Sequence, residues 1–404
     1  MSYAAATGHF DISGGYHMKK VLLGTSTLVG AGLVASASIH PAAAADAIKL
    51  SVGGFFKTAY MVNFDDDGEG EPGNETNTDG FFSDSEIYFR GSTVLDNGLE
   101  VGARVELEGE DDSDQIDEAW IFFSGGFGEI HIGSEDEALA NNCILPPGGT
   151  GNFSAFSPNQ WGANTLTTNT ACTGVDDRGD AQKILYVTPS FAGFQVGLSY
   201  TPNGGDERHV DVGGPHLGMP VNVDDESRHN LSVYATYSYE GDGWGLTWGG
   251  GASFEGHVEQ TDGDSDREES DFYQTGLNLS FGNFAVGGVF EYFNDAASFD
   301  GSNGGLDQDG DFWVAGAGVS YSFDPFTVGL QYSHREDDIE DADADDSEFS
   351  LDRIVLTGNY AMGPGIAIDG SLGYSWQDVS GPAFDEGNDN YDAFEIGIGT
   401  NFTF

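Results

Sequence analysis

The sequence repeats a short segment in which every second residue is apolar. Between 99 and 107, one parity is filled by apolar side chains, those of Leu99, Val101, Ala103, Val105 and Leu107. The other parity carries glycine and charged residues, as in a β-strand with one apolar and one polar face. Sixteen such segments occur, at 48–63, 81–95, 99–109, 115–124, 126–134, 181–189, 191–201, 228–239, 244–260, 269–281, 284–294, 311–323, 326–336, 347–361, 365–378 and 390–404. The pattern predicts an all-β chain.

The connections between these segments alternate in length. Short ones, such as Asp-Asn-Gly at 96–98 and Gly-Asn at 282–283, suit tight turns. Long ones, such as 65–79 and 202–227, are acidic. This asymmetry is typical of transmembrane barrels, whose apolar face meets lipid and whose polar face lines water. Because unpaired backbone groups are costly in lipid, the sheet must close. We predict a 16-stranded antiparallel transmembrane β-barrel over residues 46–404.

The first 45 residues have the composition of a secretory signal. Met18-Lys19-Lys20 provides a basic start, 21–39 is an apolar run of small residues, and an alanine-rich site follows. We expect cleavage after Ala45, with translation starting at Met18 and residues 1–17 forming an upstream extension. A membrane anchor is the alternative, and the short run rich in Gly, Ala and Ser disfavours it.

The charge balance is strongly acidic. The chain has 13 Lys and Arg residues against 68 Asp and Glu residues, a net charge of -55. Cleavage would remove Lys19, Lys20 and Asp11, leaving 11 basic and 67 acidic residues and a net charge of -56. Electrostatic repulsion excludes nucleic acid as a partner. The regularly spaced aromatic residues favour a folded chain over a disordered one.

The two cysteines, Cys143 and Cys172, would meet an oxidising compartment after export. We predict that they form a disulfide bond, with two isolated thiols as the alternative. Closing a loop of about 30 residues would stabilise the fold by about 3–4 kcal/mol on a chain-entropy model.

Three passages resemble the Gram-negative general porins, most closely their α-proteobacterial branch. They are EAWIFFSGGFGEIHIGS at 118–134, ILYVTPSFAGFQVGLSYTP at 184–202 and the final NFTF. The resemblance covers residues 46–404. It implies an outer-membrane homotrimer in contact with lipid and lipopolysaccharide, with a water-filled channel for small hydrophilic solutes. It also implies that the barrel-assembly machinery reads Phe404 as an assembly signal.

The resemblance further implies that the longest connection, 135–180, is a constriction loop inserted into the barrel. In the family, acidic groups on this loop face a basic wall. The candidates for the basic wall share the inward parity and are Lys57, Arg90, Arg104 and Lys183. Alternatively, these residues balance neighbouring carboxylates in the lumen. The candidates for the acidic side are Glu106, Asp136 and Glu137. The loop lacks the acidic Pro-Glu-Phe-type motif of enterobacterial porins.

No enzymatic motif is present: the sequence has no His-Glu-x-x-His, no Gly-x-Ser-x-Gly and no phosphate loop. We therefore expect a general diffusion porin and not an enzyme, and the acidic balance predicts cation selectivity. The alternative is an adhesin or surface-interaction barrel that uses its acidic loops. An inward fold of 135–180 would favour the channel.

Two acidic loop segments space their carboxylates as hard-cation ligands do. They are DGDSD at 262–266 and DQDGD at 307–311. Neither continues as an EF-hand, so a solvated loop and a calcium site both remain open, and no other cofactor is expected. The weak calcium candidates are Asp262, Asp264, Asp266, Asp307, Asp309 and Asp311.

Overall fold

The computed structural model describes residues 47–65, 78–109, 116–156, 180–203, 227–258, 270–298, 308–339, 347–381 and 391–404. The predicted signal segment lies outside these ranges. The described residues form seventeen β-strands and one short 3-10 turn, Ala140–Asn142. Among them, no helix has the length and apolar character needed to cross a membrane.

The strands follow the predicted segments closely. They are β1 (Lys49–Asp65), β2 (Asp79–Val94), β3 (Glu100–Glu108), β4 (Ile116–Gly125), β5 (Gly128–Ser134), β6 (Gln182–Val187), β7 (Phe194–Asn203), β8 (Ser227–Gly241), β9 (Trp244–Phe254), β10 (His257–Val258), β11 (Asp271–Phe281), β12 (Phe284–Ser298), β13 (Gln308–Phe323), β14 (Phe326–Ile339), β15 (Ser347–Gly363), β16 (Ile366–Ser380) and β17 (Tyr391–Thr403).

The strands form one closed antiparallel sheet. Consecutive strands pair with one another except at the short β10, where β9 pairs with β11, and β17 returns to β1 with Phe402 opposite Phe56. The two-residue strand β10 continues β9, because both pair with β8. The wall therefore has sixteen positions, which confirms the predicted 16-stranded barrel. The predicted strand 244–260 is interrupted at 255–256.

The apolar parity of the strands faces outward. On β17, Phe394, Ile396 and Ile398 are 40–60% exposed, whereas the intervening Glu395 is 1% exposed. Similar apolar side chains cover the outside of the other strands, and the buried inner positions are rich in Ser, Gln and acidic residues. This is the reverse of a water-soluble barrel and matches one that spans a membrane.

The hairpin between β6 and β7 differs from the prediction. A single residue, Ser190, was expected to connect the strands, but the turn runs from 188 to 193 and is closed by a bridge between Phe191 and Phe194. Ala192 and Gly193 have φ values of 50° and 89°. Two consecutive residues with positive φ match the right-handed twist of a hairpin.

Candidate functional site

Residues 135–156, here called the inner segment, leave β5 and run along the inner wall of the barrel. The segment begins against β7 and β8, where the amides of Ala138 and Leu139 donate to the hydroxyls of Ser199 and Ser232 at 3.0 Å. Both hydroxyls belong to buried side chains on the inner face. The inner segment is therefore held by hydrogen bonds from its first residues onward.

The later part of the inner segment contacts β14, β15 and β16. The Ala155 amide donates to Oε1 of Gln331 at 3.0 Å. The Gly148 carbonyl accepts from the hydroxyl of Thr357 at 2.5 Å. Nδ2 of Asn152 donates to the Asp369 carboxylate at 2.8 Å. The remainder of the predicted loop, 157–179, lies outside the described residues.

Apolar side chains of the inner segment pack against the wall and form a small core inside the barrel. Phe156 is 2% exposed and packs with Val314 and Val355. Phe153 is 1% exposed and packs against Ala59 and Met61. These contacts bury apolar side chains that point into the barrel. In a barrel filled only with water, inward-facing positions would carry polar side chains.

Glycines on the wall make room for the inner segment. A Cβ atom added at Gly318 would lie 1.9 Å from the Pro147 carbonyl oxygen. One added at Gly329 would lie 2.2 Å from the Gly148 carbonyl oxygen. The close approach of the two backbones therefore requires glycine at these wall positions.

Replacing Gly329 by valine should displace the inner segment and raise the single-channel conductance. Overpacking of this kind typically costs about 1–3 kcal/mol, so the free energy of unfolding should fall as well. The matched control is Gly358→Val on the adjacent strand, where an added Cβ meets no atom within 4 Å. Planar-bilayer recording measures the change, and equal conductance of the two variants would contradict the proposed position of the segment.

Beside the start of the inner segment lies a charged cavity of about 270 Å³. Two guanidinium groups, those of Arg90 and Arg104, line it from β2 and β3. The carboxylates that line it are Glu106, Asp117, Glu118, Glu129, Glu135 and Asp136. Acidic groups therefore outnumber basic ones at this point of the wall.

The predicted basic residues on the first three strands each lie beside a carboxylate. Nζ of Lys57 is 3.3 Å from Oδ2 of Asp84. Arg90 lies opposite Arg104 across the β2–β3 pair and contacts Glu100 at 3.8 Å. Arg104 is ion-paired with Glu106 on the same strand. Glu106 thus stands on the wall with the basic residues and not on the segment facing them.

Lys183, the fourth predicted basic residue, is 3% exposed and lies under the inner segment. Its ammonium group donates to the carbonyl oxygens of Glu135 and Ala181, the second at 2.7 Å. A buried ammonium needs such acceptors and neighbouring carboxylates to offset its desolvation. Lys183 therefore ties β6 to the first residue of the segment.

His131 fixes the same end of the inner segment. Its Nδ1 is 2.7 Å from Oε2 of Glu135, and its Nε2 is 2.6 Å from Oε1 of Glu129. The imidazole also stacks on Trp120, with ring centroids 4.0 Å apart. A ring with both nitrogens facing carboxylates can donate to both only as the imidazolium. The strand pattern of the sequence does not reveal these two partners.

The predicted acidic residues of the loop are both buried. Oε2 of Glu137 accepts from the hydroxyl of Ser253 at 2.6 Å. Burial, together with the Glu118 carboxylate, raises the pKa of Asp136 to about 8. Burial and the Asp136 carboxylate raise the pKa of Asp180 to about 9. Carboxylate oxygens of Glu118, Asp136 and Asp180 lie within 4.8 Å of one another, as those of a cation site do.

Two inward-facing arginines were missed at the sequence level. Arg353 on β15 is 1% exposed; its Nη2 lies 3.4 Å from Oε1 of Glu395, and its Nε donates to the Ser375 hydroxyl at 3.0 Å. Arg335 on β14 contacts Asp337 at 2.6 Å. The polar inward parity of β14 was the available signal for Arg335, whereas the inward face of β15 around Arg353 is apolar in the sequence.

Cys143 takes part in a disulfide bond, and none of the described cysteines is free. Its predicted partner, Cys172, lies outside the described residues. Of the calcium candidates, Asp262, Asp264, Asp266 and Asp307 also lie outside them. Asp311 accepts a hydrogen bond from the Tyr292 hydroxyl at 2.5 Å.

A closed sixteen-position barrel with an apolar exterior and a charged interior defines an integral outer-membrane channel protein. A family model described as Gram-negative porin matches residues 27–380, and the chain belongs to this family. The protein therefore forms a diffusion channel in the outer membrane. No curated protein matches the sequence.

Solved porin structures share the fold. A porin refined at 1.8 Å resolution is 18% identical, with a TM-score of 0.50 over 88% of this chain and 100% of that one. An anion-selective porin from Comamonas acidovorans is 14% identical, with a TM-score of 0.52 over 89% and 100%. The trimer form of OmpT from Vibrio cholerae is 13% identical, with a TM-score of 0.53 over 89% and 100%. At these identities the likeness shows the fold alone.

Proposed function

We propose that this porin is a cation-selective general diffusion channel for small hydrophilic solutes, narrowed by the inner segment. The observation that carries the proposal is the excess of carboxylates around that segment. Six acidic side chains line the cavity beside it. Asp136, with its raised pKa, is mostly protonated at neutral pH, and the other five acidic side chains stand against two arginines and a histidine. Fixed charges in a confined lumen determine which ions enter, so this lining favours cations.

The basic residues do not cancel this field. Lys57 and Arg104 are each paired with a carboxylate, and Lys183 is buried under the inner segment. An anion-selective porin from Comamonas acidovorans has a similar fold, so the proposal for this chain rests on its side chains and not on its fold.

The same proposal includes a homotrimer, in accord with the trimer form of the similar Vibrio cholerae protein. It places the wall around β1 and β17 at the subunit contact. It also includes contact with lipopolysaccharide and delivery by the barrel-assembly machinery, which would read Phe404. The function involves no catalytic step. The adhesin alternative has no support from the family or fold comparisons.

Selectivity should weaken as the salt concentration rises. The Debye length falls from about 10 Å at 0.1 M salt to about 3 Å at 1 M, so the acidic groups act over a shorter distance. The measurement is the reversal potential of the purified protein in planar bilayers under KCl gradients of equal ratio. We expect a preference for K⁺ that declines between these concentrations. A preference for Cl⁻ at low salt would overturn the proposal.

Calcium binding by the acidic loops remains part of the proposal. The carboxylates of DGDSD at 262–266 would be its ligands, with those of DQDGD at 307–311 as the second group. Isothermal titration of the folded barrel with Ca²⁺ tests this, with Asp264→Asn as the variant that should weaken binding.

A further inference from the structure

His131 joins β5 to the first residue of the inner segment through a single ring. Glu129 on β5 and Glu135 at the start of the segment face opposite nitrogens of its imidazole, at 2.6 Å and 2.7 Å. Because each carboxylate accepts a hydrogen, the ring bonds to both of them in its imidazolium form. We call Glu129, His131 and Glu135 the imidazolium clamp.

The two carboxylates of the imidazolium clamp differ in burial. The side chain of Glu135 is 3% exposed, that of Glu129 is 32% exposed, and that of His131 is 12% exposed. Within the described part of the chain, Oε1 of Glu135 has no hydrogen-bond partner. A buried carboxylate that loses its cation is strongly destabilising. Glu135 therefore depends on the charge of the ring more than Glu129 does, because Glu129 can turn to water.

Trp120 on β4 fixes the orientation of the histidine ring. The two rings are stacked with an interplanar angle of 13° and centroids 4.0 Å apart, and Trp120 is 7% exposed. The face of an indole attracts a cation, so the stack also favours the imidazolium. The ring is thus held between a buried aromatic face and two carboxylates, with Nδ1 toward Glu135.

The other titratable groups around the imidazolium clamp are mostly acidic. Lys183 on β6 donates to the backbone carbonyl of Glu135. Further groups line the adjoining cavity of about 270 Å³ from β2, β3, β4 and the inner segment, and they are Arg90, Arg104, Glu106, Asp117, Glu118 and Asp136. A Glu135 carboxylate that lost the imidazolium would face this acidic surrounding.

We propose that His131 is a positioning residue whose imidazolium holds the Glu135 carboxylate against β5, and that loss of its proton releases this carboxylate into the adjoining cavity. A neutral ring keeps a single N–H and carries no charge, so Glu135 is left buried without its cation. Turning into the cavity returns the carboxylate to water. The start of the inner segment then has two states, here called docked and released.

The direction of the pH dependence follows from the proton count. The docked state binds one proton more than the released state, so it is the stable state at acid pH and is lost as the pH rises. An equilibrium that is linked to one proton shifts by about tenfold per pH unit. Release of Glu135 is therefore expected at alkaline pH.

The test records single channels of the full barrel in planar bilayers at one low voltage and one KCl concentration. The pH is varied from about 6 to about 10, a range that begins below the ordinary histidine pKa of about 6.5. At the acid end, the wild type should remain at one conductance level. As the pH rises, it should switch to a second level, and the ratio of time released to time docked should rise by about tenfold per pH unit.

Two variants of the clamp should behave in opposite ways. His131→Gln lacks the positive charge at every pH, so it should visit the second level throughout the range without a slope. Glu135→Gln has no carboxylate to release, so it should stay at the docked level throughout. If these residues were merely structural, both substitutions would disturb the channel alike.

The matched control is His334→Gln on β14. The nitrogens of His334 also face carboxylates, those of Asp352 at 2.9 Å and Glu336 at 3.4 Å. Its ring shares the outward parity of the exposed Leu330 and Tyr332 and lies on the opposite side of the wall from the inner segment. His334→Gln should keep the pH response of the wild type.

Three results would overturn the inference. One is a wild type that stays at one level across the whole pH range, and another is a Glu135→Gln variant that switches as the wild type does. The third is a His131→Gln variant that keeps the tenfold slope, which would assign the proton to Lys183. If His131→Gln fails to fold, Glu135→Gln decides the question by its loss of the pH response. The readout is the switching of the current and not the reversal potential, so the test is independent of the proposed cation selectivity.

Discussion

Replacing Arg353 by methionine is expected to lower the free energy of unfolding of the barrel by about 3–5 kcal/mol. Arg353 and Glu395 form an ion pair at 3.4 Å, with both side chains no more than 2% exposed. Removing the guanidinium leaves the Glu395 carboxylate buried without its cation, and this desolvation is the main cost. Urea unfolding of the protein in vesicles measures the change.

Two further variants test whether the loss of unfolding free energy comes from the burial of an unpaired charge. Arg90→Met removes an ion pair at 3.8 Å whose side chains are 40% and 37% exposed, so it should cost no more than about 1 kcal/mol. Arg353→Met/Glu395→Gln removes both charges of the buried pair and should recover most of the loss. Equal costs for Arg353→Met and Arg90→Met would show that water reaches the buried pair and screens it.

Replacing Phe404 by alanine is expected to reduce the amount of assembled barrel in the outer membrane several-fold, because losses of 1–2 kcal/mol change abundance on about this scale. The ring is 55% exposed on the outer face and lies 5.6 Å from that of Phe402. Its loss removes an aromatic anchor and, on the proposed role of Phe404, the feature that the assembly machinery reads. Quantifying folded protein in outer-membrane fractions measures the effect.

The backbone of Phe404 provides the control for this experiment. Its amide donates to the Gly54 carbonyl at 3.1 Å, and its carbonyl accepts from the Gly54 amide at 3.2 Å. Phe404→Ala keeps both bonds, so unassisted refolding into vesicles should proceed nearly as in the wild type. If the refolding defect is as large as the defect in cells, Phe404 is needed for closing the barrel and not for recognition by the assembly machinery.

The strands were largely predictable because two-residue periodicity records which face of a strand meets lipid. The terminal strand is an example, since Phe394, Ile396 and Ile398 alternate with the buried Glu395 and the small Gly397. The interruption between β9 and β10 was not predictable. Residues 255–256 lie inside the predicted strand 244–260, and nothing in the sequence marks them as a break. Hairpin ends were least certain where the turn depends on positive φ, as at Ala192.

The candidate site was predictable on the early strands and not on the late ones. Arg104 shares its parity with Gly102 and Glu106, so its inward position can be seen in the sequence. Arg353 shares the inward face of β15 with Leu351 and Val355, which are 0% and 1% exposed. Both faces of β15 are therefore apolar, because the inner segment packs against the inward one. Periodicity cannot reveal a lumen position where the lumen is filled by the chain itself.

Closure of the wall has a consequence for the order of events during biosynthesis. All other pairs join strands that are neighbours in chain order or, around the short β10, lie two strands apart, whereas β1 pairs with β17, the last of the seventeen described strands to be synthesised. Contacts between such distant segments form slowly. Until β17 arrives, β1 presents an open edge that invites aggregation. A chain that stops before β17 cannot form the β1–β17 pairing and so cannot close the sheet. Only a chain that includes β17 can therefore form the closed barrel.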